Sequence, residues 1–168
     1  QIENLVNEFS DFARMPKPVY KDNNLSDVVL LNIELLKKID REIKFNFNSE
    51  KTIKFKFDHE QISRVCFNLI KNSVESLKEK AKKSPNFNKN INIEIVKHID
   101  YISLTIKDTG LGFKNINTSE LTKPYFTTKI DGTGLGLSIV SKIINDHNGV
   151  IEFSNINNGA KVEIKFFE

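Results

Sequence analysis

Apolar residues Ile2, Leu5, Phe9 and Phe12 recur at spacings of three and four along "QIENLVNEFSDFAR", the period of a one-sided helix. Pro16 and Pro18 stop that pattern, because proline lacks a backbone donor and restricts the residue before it. A second helical pattern covers about 26–41, with Ser26 as its cap and Val29, Ile33, Leu36 and Ile39 inward. The period then shortens to two in "IKFNF" (43–47) and "TIKFKF" (52–57), which predicts half-buried strands. Asp58 followed by Gln61 has the form of a capping box. It opens a long helix to about Lys82, with Ile62, Val65, Leu69, Ser73 and Leu77 facing inward. Strands at 91–96 and 101–108, a helix at 135–146 and strands at 150–154 and 160–167 complete the pattern.

Between the fifth strand and the last helix, residues 109–133 carry few periodic apolar positions. A connection of that length inside a compact domain is usually a lid or a binding loop. The element order has too few alternating units for a doubly wound sheet. It predicts an α+β fold, a two-layer sandwich with helices covering one face of a mixed sheet. The helix ending in "MPKP" precedes an otherwise complete domain. Residues 1–19 are therefore expected to be the tail of a preceding module, and 20–168 the domain itself.

Composition narrows the function classes. The 168 residues suffice for one domain with a real core and a short extension. A net charge of +3, with lysines spread along the chain, gives no footing for nucleic-acid binding. The single Cys66 excludes a disulfide framework within the chain, fits a reducing compartment, and sits in an apolar pattern as a small hydrophobe. The longest apolar run is "VVLL" at 28–31, far short of the roughly 18 residues of a membrane span. No membrane contact is expected of this piece. The first residue is not Met, so the chain is expected to be an excised part of something longer.

Three stretches carry candidate chemistry. Asn68, Asn72 and Glu75 share the flank of the long helix's inward stripe. An asparagine amide oxygen can ligate Mg²⁺ and its NH₂ can donate to phosphate, although a polar edge in an Asn-rich chain has the same spelling. "DTGLG" (108–112) places a carboxylate at a strand end before two glycines. It suits a flat ligand with an exocyclic amine, or a plain turn. "GTGLG" (132–136) bares backbone amides at a helix start, where the dipole favours an anion. No strand precedes it, which excludes a dinucleotide fingerprint, and the P-loop spelling is absent.

In the order Asn68…Asn72, "DTGLG", "PYFTTK", "GTGLGL", these blocks resemble the nucleotide-binding blocks of the catalytic and ATP-binding domain of sensor histidine kinases. The "YFTTK" form is most similar to the nitrogen-regulation branch. Gyrase, Hsp90-type and mismatch-repair ATPases belong to the same superfamily, as do anti-sigma serine kinases. The resemblance implies a Bergerat-type ATP-binding fold with ATP and Mg²⁺ as ligands. Residues 1–19 resemble the end of a dimerisation helix with its linker, and 109–133 the lid. It further implies Asn72 as the Mg²⁺ ligand with Asn68 assisting at the phosphates, and Asp108 on the adenine amine with Gly110 and Gly112 shaping the base pocket. Phe126, Thr127, Thr128 and Lys129 would form the lid against the phosphates. Gly132, Thr133, Gly134, Leu135 and Gly136 would line the triphosphate, with Asn68, Asn72 and Lys129 as the catalytic set. Gly159 matches a further glycine-containing turn of the family only poorly.

Two departures stand out. Glu75 takes the place of a lysine found in many relatives, and the family's phosphoacceptor histidine is missing. His59 lies inside a capping pattern without the expected proline, His98 in a strand connection and His147 near a helix end, where an imidazole favours the terminus. The expected activity is transfer of the γ-phosphoryl of Mg-ATP to a histidine on a helix mostly outside this chain, for relay to a response regulator. The expected setting is cytoplasmic, in a parent homodimer that could itself be anchored in the inner membrane, with a monomer or weak dimer for this piece. Hydrolysis is disfavoured because ATPases of the superfamily place a Glu where this chain has Asn68, and an amide cannot take a proton from water. An anti-sigma-like serine kinase and a non-catalytic nucleotide-binding module remain open alternatives.

Overall fold

The computed structural model describes residues 2–113, 117–127 and 132–167. Four α-helices and seven strands follow one another: α1 (Ile2–Ala13), β1 (Lys21–Asn24), α2 (Leu25–Leu36), β2 (Lys44–Asn48), β3 (Lys54–Phe57), α3 (His59–Lys83), β4 (Asn90–Lys97), β5 (Tyr101–Asp108), α4 (Gly136–Asp146), β6 (Gly149–Ile156) and β7 (Gly159–Phe167). A 3-10 turn, Thr118–Glu120, lies inside the long connection.

Strands β2-β4-β5-β7-β6 form one five-stranded sheet. It is mixed, because β2 runs parallel to β4 while the other neighbours are antiparallel. Period-two patterning decides which face is covered. Ile91, Ile93 and Ile95 of β4, Ile102, Leu104 and Ile106 of β5, and Ile164 and Phe166 of β7 are buried in one core with α3 and α4. Each such side chain contributes about 1.5–3 kcal/mol when fully buried. The other face presents Asn46, Asn92, Glu94, Lys161, Glu163 and Lys165, tied by cross-strand bonds such as Asn46 Nδ2 to Asn92 Oδ1 at 2.7 Å. The two-layer sandwich with helices on one face is as expected from the element order.

Several local expectations are corrected. Asn24, not Ser26, caps α2: its side chain accepts from Ser26 N, and also from Ile53 N at 2.9 Å. Ser26 instead donates to Glu50 O. The helix stops at Leu36, well short of residue 41, because Ile39 N turns back to Leu36 O and the Asp40 carboxylate caps Glu42 N. Ile39 is accordingly exposed. The strand at 54–57 does not join the main sheet: it pairs with β1, a strand the pattern did not announce, whose four polar residues show no alternation.

Asp58 caps α3 through Gln61 N at 3.0 Å, as expected, but the reciprocal half of the capping box is absent. Gln61 Nε2 donates to Pro16 O, and Asp58 N donates to His147 Nε2 at 3.0 Å. His147 is buried at the end of α4, with Nδ1 on Ile143 O. That arrangement needs a neutral ring protonated on Nδ1, so the helix end is served by a hydrogen bond and not by an imidazolium charge. Val19 N also donates to Asp58 Oδ2 at 2.7 Å, and Tyr20 OH to Asp146 O, so the 16–20 segment is docked on the start of α3 and the end of α4.

Candidate functional site

Asp108 is the last residue of β5 and faces Ile91 across the ladder. It is buried, and a buried carboxylate needs donors. Ser73 Oγ donates to one carboxylate oxygen at 2.9 Å and Gly110 N to the other at 2.9 Å. Burial is the largest influence and raises its pKa above the ordinary value; the donors at Gly110, Ser73 and Ala160 and the charge on Lys80 act in the opposite direction. Each oxygen retains acceptor capacity for a further donor. A cleft of about 310 Å³ opens beside this turn, lined by Lys80, Gly110, Leu111, Asn155 and Gly159 among others, at the small end of ligand-site volumes.

The turn after Asp108 is crowded on both sides. A Cβ on Gly110 would lie 2.2 Å from Ser76 Oγ, so the approach of α3 excludes any larger residue. From the β6–β7 hairpin, Asn155 clamps the far end: Oδ1 accepts from Phe113 N at 2.6 Å and Nδ2 donates to Phe113 O at 3.3 Å. Gly159 holds φ +144, and a Cβ there would sit 1.8 Å from Asp108 O. The residue that matched the family pattern poorly is therefore packed against the backbone of the one that matched well.

Asn68, Asn72 and Glu75 are half-buried along the flank of α3, beside the buried Leu69, Ser73 and Leu77. Glu75 pairs with Lys71 at 3.7 Å. Because Asn72 adjoins Ser73, the helix that offers amide oxygens for a cation also holds Asp108. In the connection, Phe126 is half-buried and Thr127 exposed, while Thr128 and Lys129 lie outside the described residues. Tyr125, at φ +64, stacks on Phe9 with ring centroids 6.4 Å apart, and Thr133 Oγ1 donates to Glu8, so α1 touches this segment. Gly132 and Gly134 are half-buried, Leu135 is buried, and Gly136 is the first residue of α4. Leu135 is the N-cap and supplies no side-chain cap bond, unlike the usual Ser, Thr, Asp or Asn. A helix start without a capping side chain is suited to an anion.

No His, Cys, Asp or Glu trio able to hold a metal occurs among the described residues. A larger hollow of about 500 Å³ lies between β6, α4 and the 3-10 turn, lined by Thr118, Ser141, Asn145 and Glu152 among others. None of the expected site residues lines it. Cys66 is fully buried, and burial pushes its thiol up to about 12, which leaves it unreactive.

With that geometry in hand, residues 57–168 match the model of the histidine kinase-, DNA gyrase B- and HSP90-like ATPases. The chain belongs to this family, and within it is an ATP-binding catalytic domain of the sensor histidine kinase kind. An NtrY-like sensor histidine kinase of Rickettsia conorii is 34% identical over 167 residues, covering 98% of this chain and 27% of that protein. The nitrogen regulation protein NtrY of Azorhizobium caulinodans is 32% identical, covering 98% of this chain and 21% of its own length. The chain thus spans about a quarter of the length of these curated relatives. Among solved structures, the catalytic domain of histidine kinase ThkA superposes with a TM-score of 0.77 at 26% identity, over 89% of this chain and 95% of that one. Full-length ShkA in complex with AMPPNP shares the fold, with a TM-score of 0.82 at 18% identity over 97% of this chain and 35% of ShkA.

Proposed function

We propose that this domain transfers the γ-phosphoryl of Mg-ATP to a histidine on a dimerisation helix mostly outside the chain, for relay to a response regulator. The observation that carries this is the buried Asp108 carboxylate, held by Ser73 and Gly110 at the end of β5 with acceptor capacity to spare. It can accept from an adenine amine, and it repels the guanine oxygen that would stand in the same place. Gly110 and Gly112 keep the base turn thin. At the other end, Gly132, Thr133, Gly134, Leu135 and Gly136 present the backbone at the uncapped start of α4 to the triphosphate. Phe126, Thr127, Thr128 and Lys129 form the lid, with Lys129 neutralising phosphoryl charge.

The half-buried amides of Asn72 and Asn68 fit Mg²⁺ as hard oxygen donors; Asn72 would hold the ion and Asn68 assist at the phosphates. When bound, Mg²⁺ supplies charge neutralisation at the phosphoryl oxygens. The chain's own residues orient the nucleotide and exclude water. Asn68 carries no carboxylate to take a proton from water, which supports transfer over hydrolysis.

Residues 1–19 serve as the end of the dimerisation helix and its linker, and 20–168 as the catalytic domain with its lid at about 109–133. The exposed apolar side chains Ile2, Leu5, Val6 and Phe9 on α1 support continuation of that helix into a parent homodimer. A structure of ThkA with its response regulator TrrA, similar in fold to this chain at a TM-score of 0.81, supports such a partner. No described helix is long and apolar enough to cross a membrane. We place the domain in the cytoplasm, without nucleic-acid or membrane contacts of its own.

The test is to mix the chain with the parent's dimerisation helices and γ-labelled Mg-ATP. Acid-labile label on a histidine, lost in Asn72→Ala, is expected. Label on serine, or release of free phosphate alone, would contradict the proposal.

A further inference from the structure

Ser73, Ser76 and Lys80 stand at spacings of three and four on α3, and so on one face of the helix. Each makes its bonds to a successive part of the 108–111 turn. Ser73 Oγ donates to Asp108 Oδ2 at 2.9 Å. Ser76 Oγ accepts from Leu111 N at 2.9 Å. Lys80 Nζ donates to Thr109 O at 2.6 Å and Gly110 O at 3.2 Å, and lies 4.6 Å from the centre of the Phe87 ring. Thr109 is tied to Asn90 of β4 through its backbone N and its Oγ1, whereas the carbonyls of Thr109 and Gly110 take their donor from Lys80. A buried or half-buried carbonyl left without a donor is costly, and Lys80 serves two of them at once.

We infer that Ser73, Ser76 and Lys80 form a ladder that fixes the Asp108 turn on α3 and thereby sets the preference of the site for adenine over guanine. They are positioning residues and act through Asp108 and the backbone of the turn. The ladder rests on the nucleotide reading above and deepens it. Base selection at Asp108 depends on the carboxylate pointing one way: toward an amine it attracts, and toward a carbonyl oxygen it repels. Gly110 N holds one oxygen of the carboxylate through a local turn, and the Ala160 backbone is a further donor from β7. Ser73 is the donor from α3 and fixes Oδ2, while Lys80 and Ser76 keep the turn itself from sliding along the helix. The 2.2 Å gap that any Cβ on Gly110 would leave to Ser76 Oγ shows how closely the two segments lie.

The experiment measures affinities of the whole chain for non-hydrolysable ATP and GTP analogues and for inorganic tripolyphosphate, in wild type, Ser73→Ala and Lys80→Met, with Ser73→Thr and Lys80→Arg as restoring variants. Losing one bond to a buried charged group predicts a fall of roughly tenfold in the ATP-to-GTP preference. Tripolyphosphate affinity should stay within twofold or so of wild type, and the conservative variants should recover most of the preference. If Lys80→Met does not fold, Lys80→Gln keeps a donor while removing the charge and takes its place. An unchanged base preference in folded variants overturns the ladder while leaving the nucleotide site standing. So does an equal loss of tripolyphosphate affinity, which would mark a general structural effect. A wild-type chain that binds no ATP analogue overturns the nucleotide reading and the ladder with it.

Discussion

Substituting Gly159 with alanine should damage both the fold and the base pocket. The new Cβ would stand 1.8 Å from Asp108 O, 2.7 Å from Asp108 C and 3.0 Å from Thr109 Cα. An ordinary carbon–oxygen contact needs about 3.3 Å, so the hairpin and the end of β5 must part by more than an ångström. The backbone cannot yield by rotating, because φ +144 is itself unfavourable for a residue with a side chain. Strained backbone of this kind costs about 1–3 kcal/mol and overpacking about 1–3 kcal/mol. Together they predict a loss of roughly 2–6 kcal/mol, set against about 5–15 kcal/mol for a domain of ordinary stability. The displaced atoms are those of Asp108 itself, whose bonds to Ser73 and Gly110 are both 2.9 Å. Affinity for an ATP analogue should therefore fall about tenfold or more. Urea unfolding and calorimetric titration read the two effects. Gly136 is the control for the stability readout alone, since a Cβ there meets nothing within 4 Å and the residue begins a helix; alanine should leave the fold as stable or up to about 1 kcal/mol more stable. A Gly159→Ala chain within about 0.5 kcal/mol of wild type, with unchanged affinity, would refute the reasoning.

Asp108→Asn should weaken adenine recognition yet stabilise the nucleotide-free fold at neutral pH. The Asp108 pKa is raised by burial, so its stability contribution is complete below the unfolded value near 3.8 and is lost as pH rises through the higher folded value. Urea titrations should show a gain at pH 7 that shrinks as the pH falls toward 4; a destabilised variant at pH 7 would contradict this. Asp58 has the opposite sign. Burial raises its pKa, but the N–H groups of Gln61, Val19 and Glu60 more than offset this, leaving it below 3.8. Its contribution is present above that value and is lost as pH falls through the folded pKa. Asp58→Ala should cost about 1–2 kcal/mol at pH 7 and release the 16–20 segment to proteolysis, with the difference from wild type vanishing in acid. Cys66, fully buried with its thiol pushed up to about 12, should resist alkylation in the folded chain and react only on unfolding. Fast labelling of native protein would show that α3 opens locally.

The glycine and asparagine blocks were visible in the chain because their chemistry is local: helix flank, strand end and tight turn, helix start. Their supports were not, because each comes from a distant element. Ser73 was placed on the inward stripe of α3 without a partner. A polar residue among buried apolar ones already demands one, and Asp108, at the end of a strand, is a strong acceptor. Nothing local marked Lys80 as the donor to the turn or Asn155 as the clamp on Phe113, since both pairings cross from other elements. Asn24 and Ser26 are equally good caps by residue type, and the choice fell to Asn24 because Ile53 N also needed its side chain. Similarly, the reciprocal half of the Asp58–Gln61 box lost to two longer-range bonds, from Gln61 Nε2 to Pro16 O and from Asp58 N to His147 Nε2. The sheet was anticipated from period-two runs, whereas β1, four polar residues paired with β3, had no such signal.

A calorimetric titration of the chain with a non-hydrolysable ATP analogue, with and without Mg²⁺, tests the central claim most directly. The account predicts saturable binding at one site per chain, tighter with Mg²⁺, and at least tenfold weaker for Asp108→Asn. Absence of saturable binding, or binding unaffected by that substitution, would contradict it.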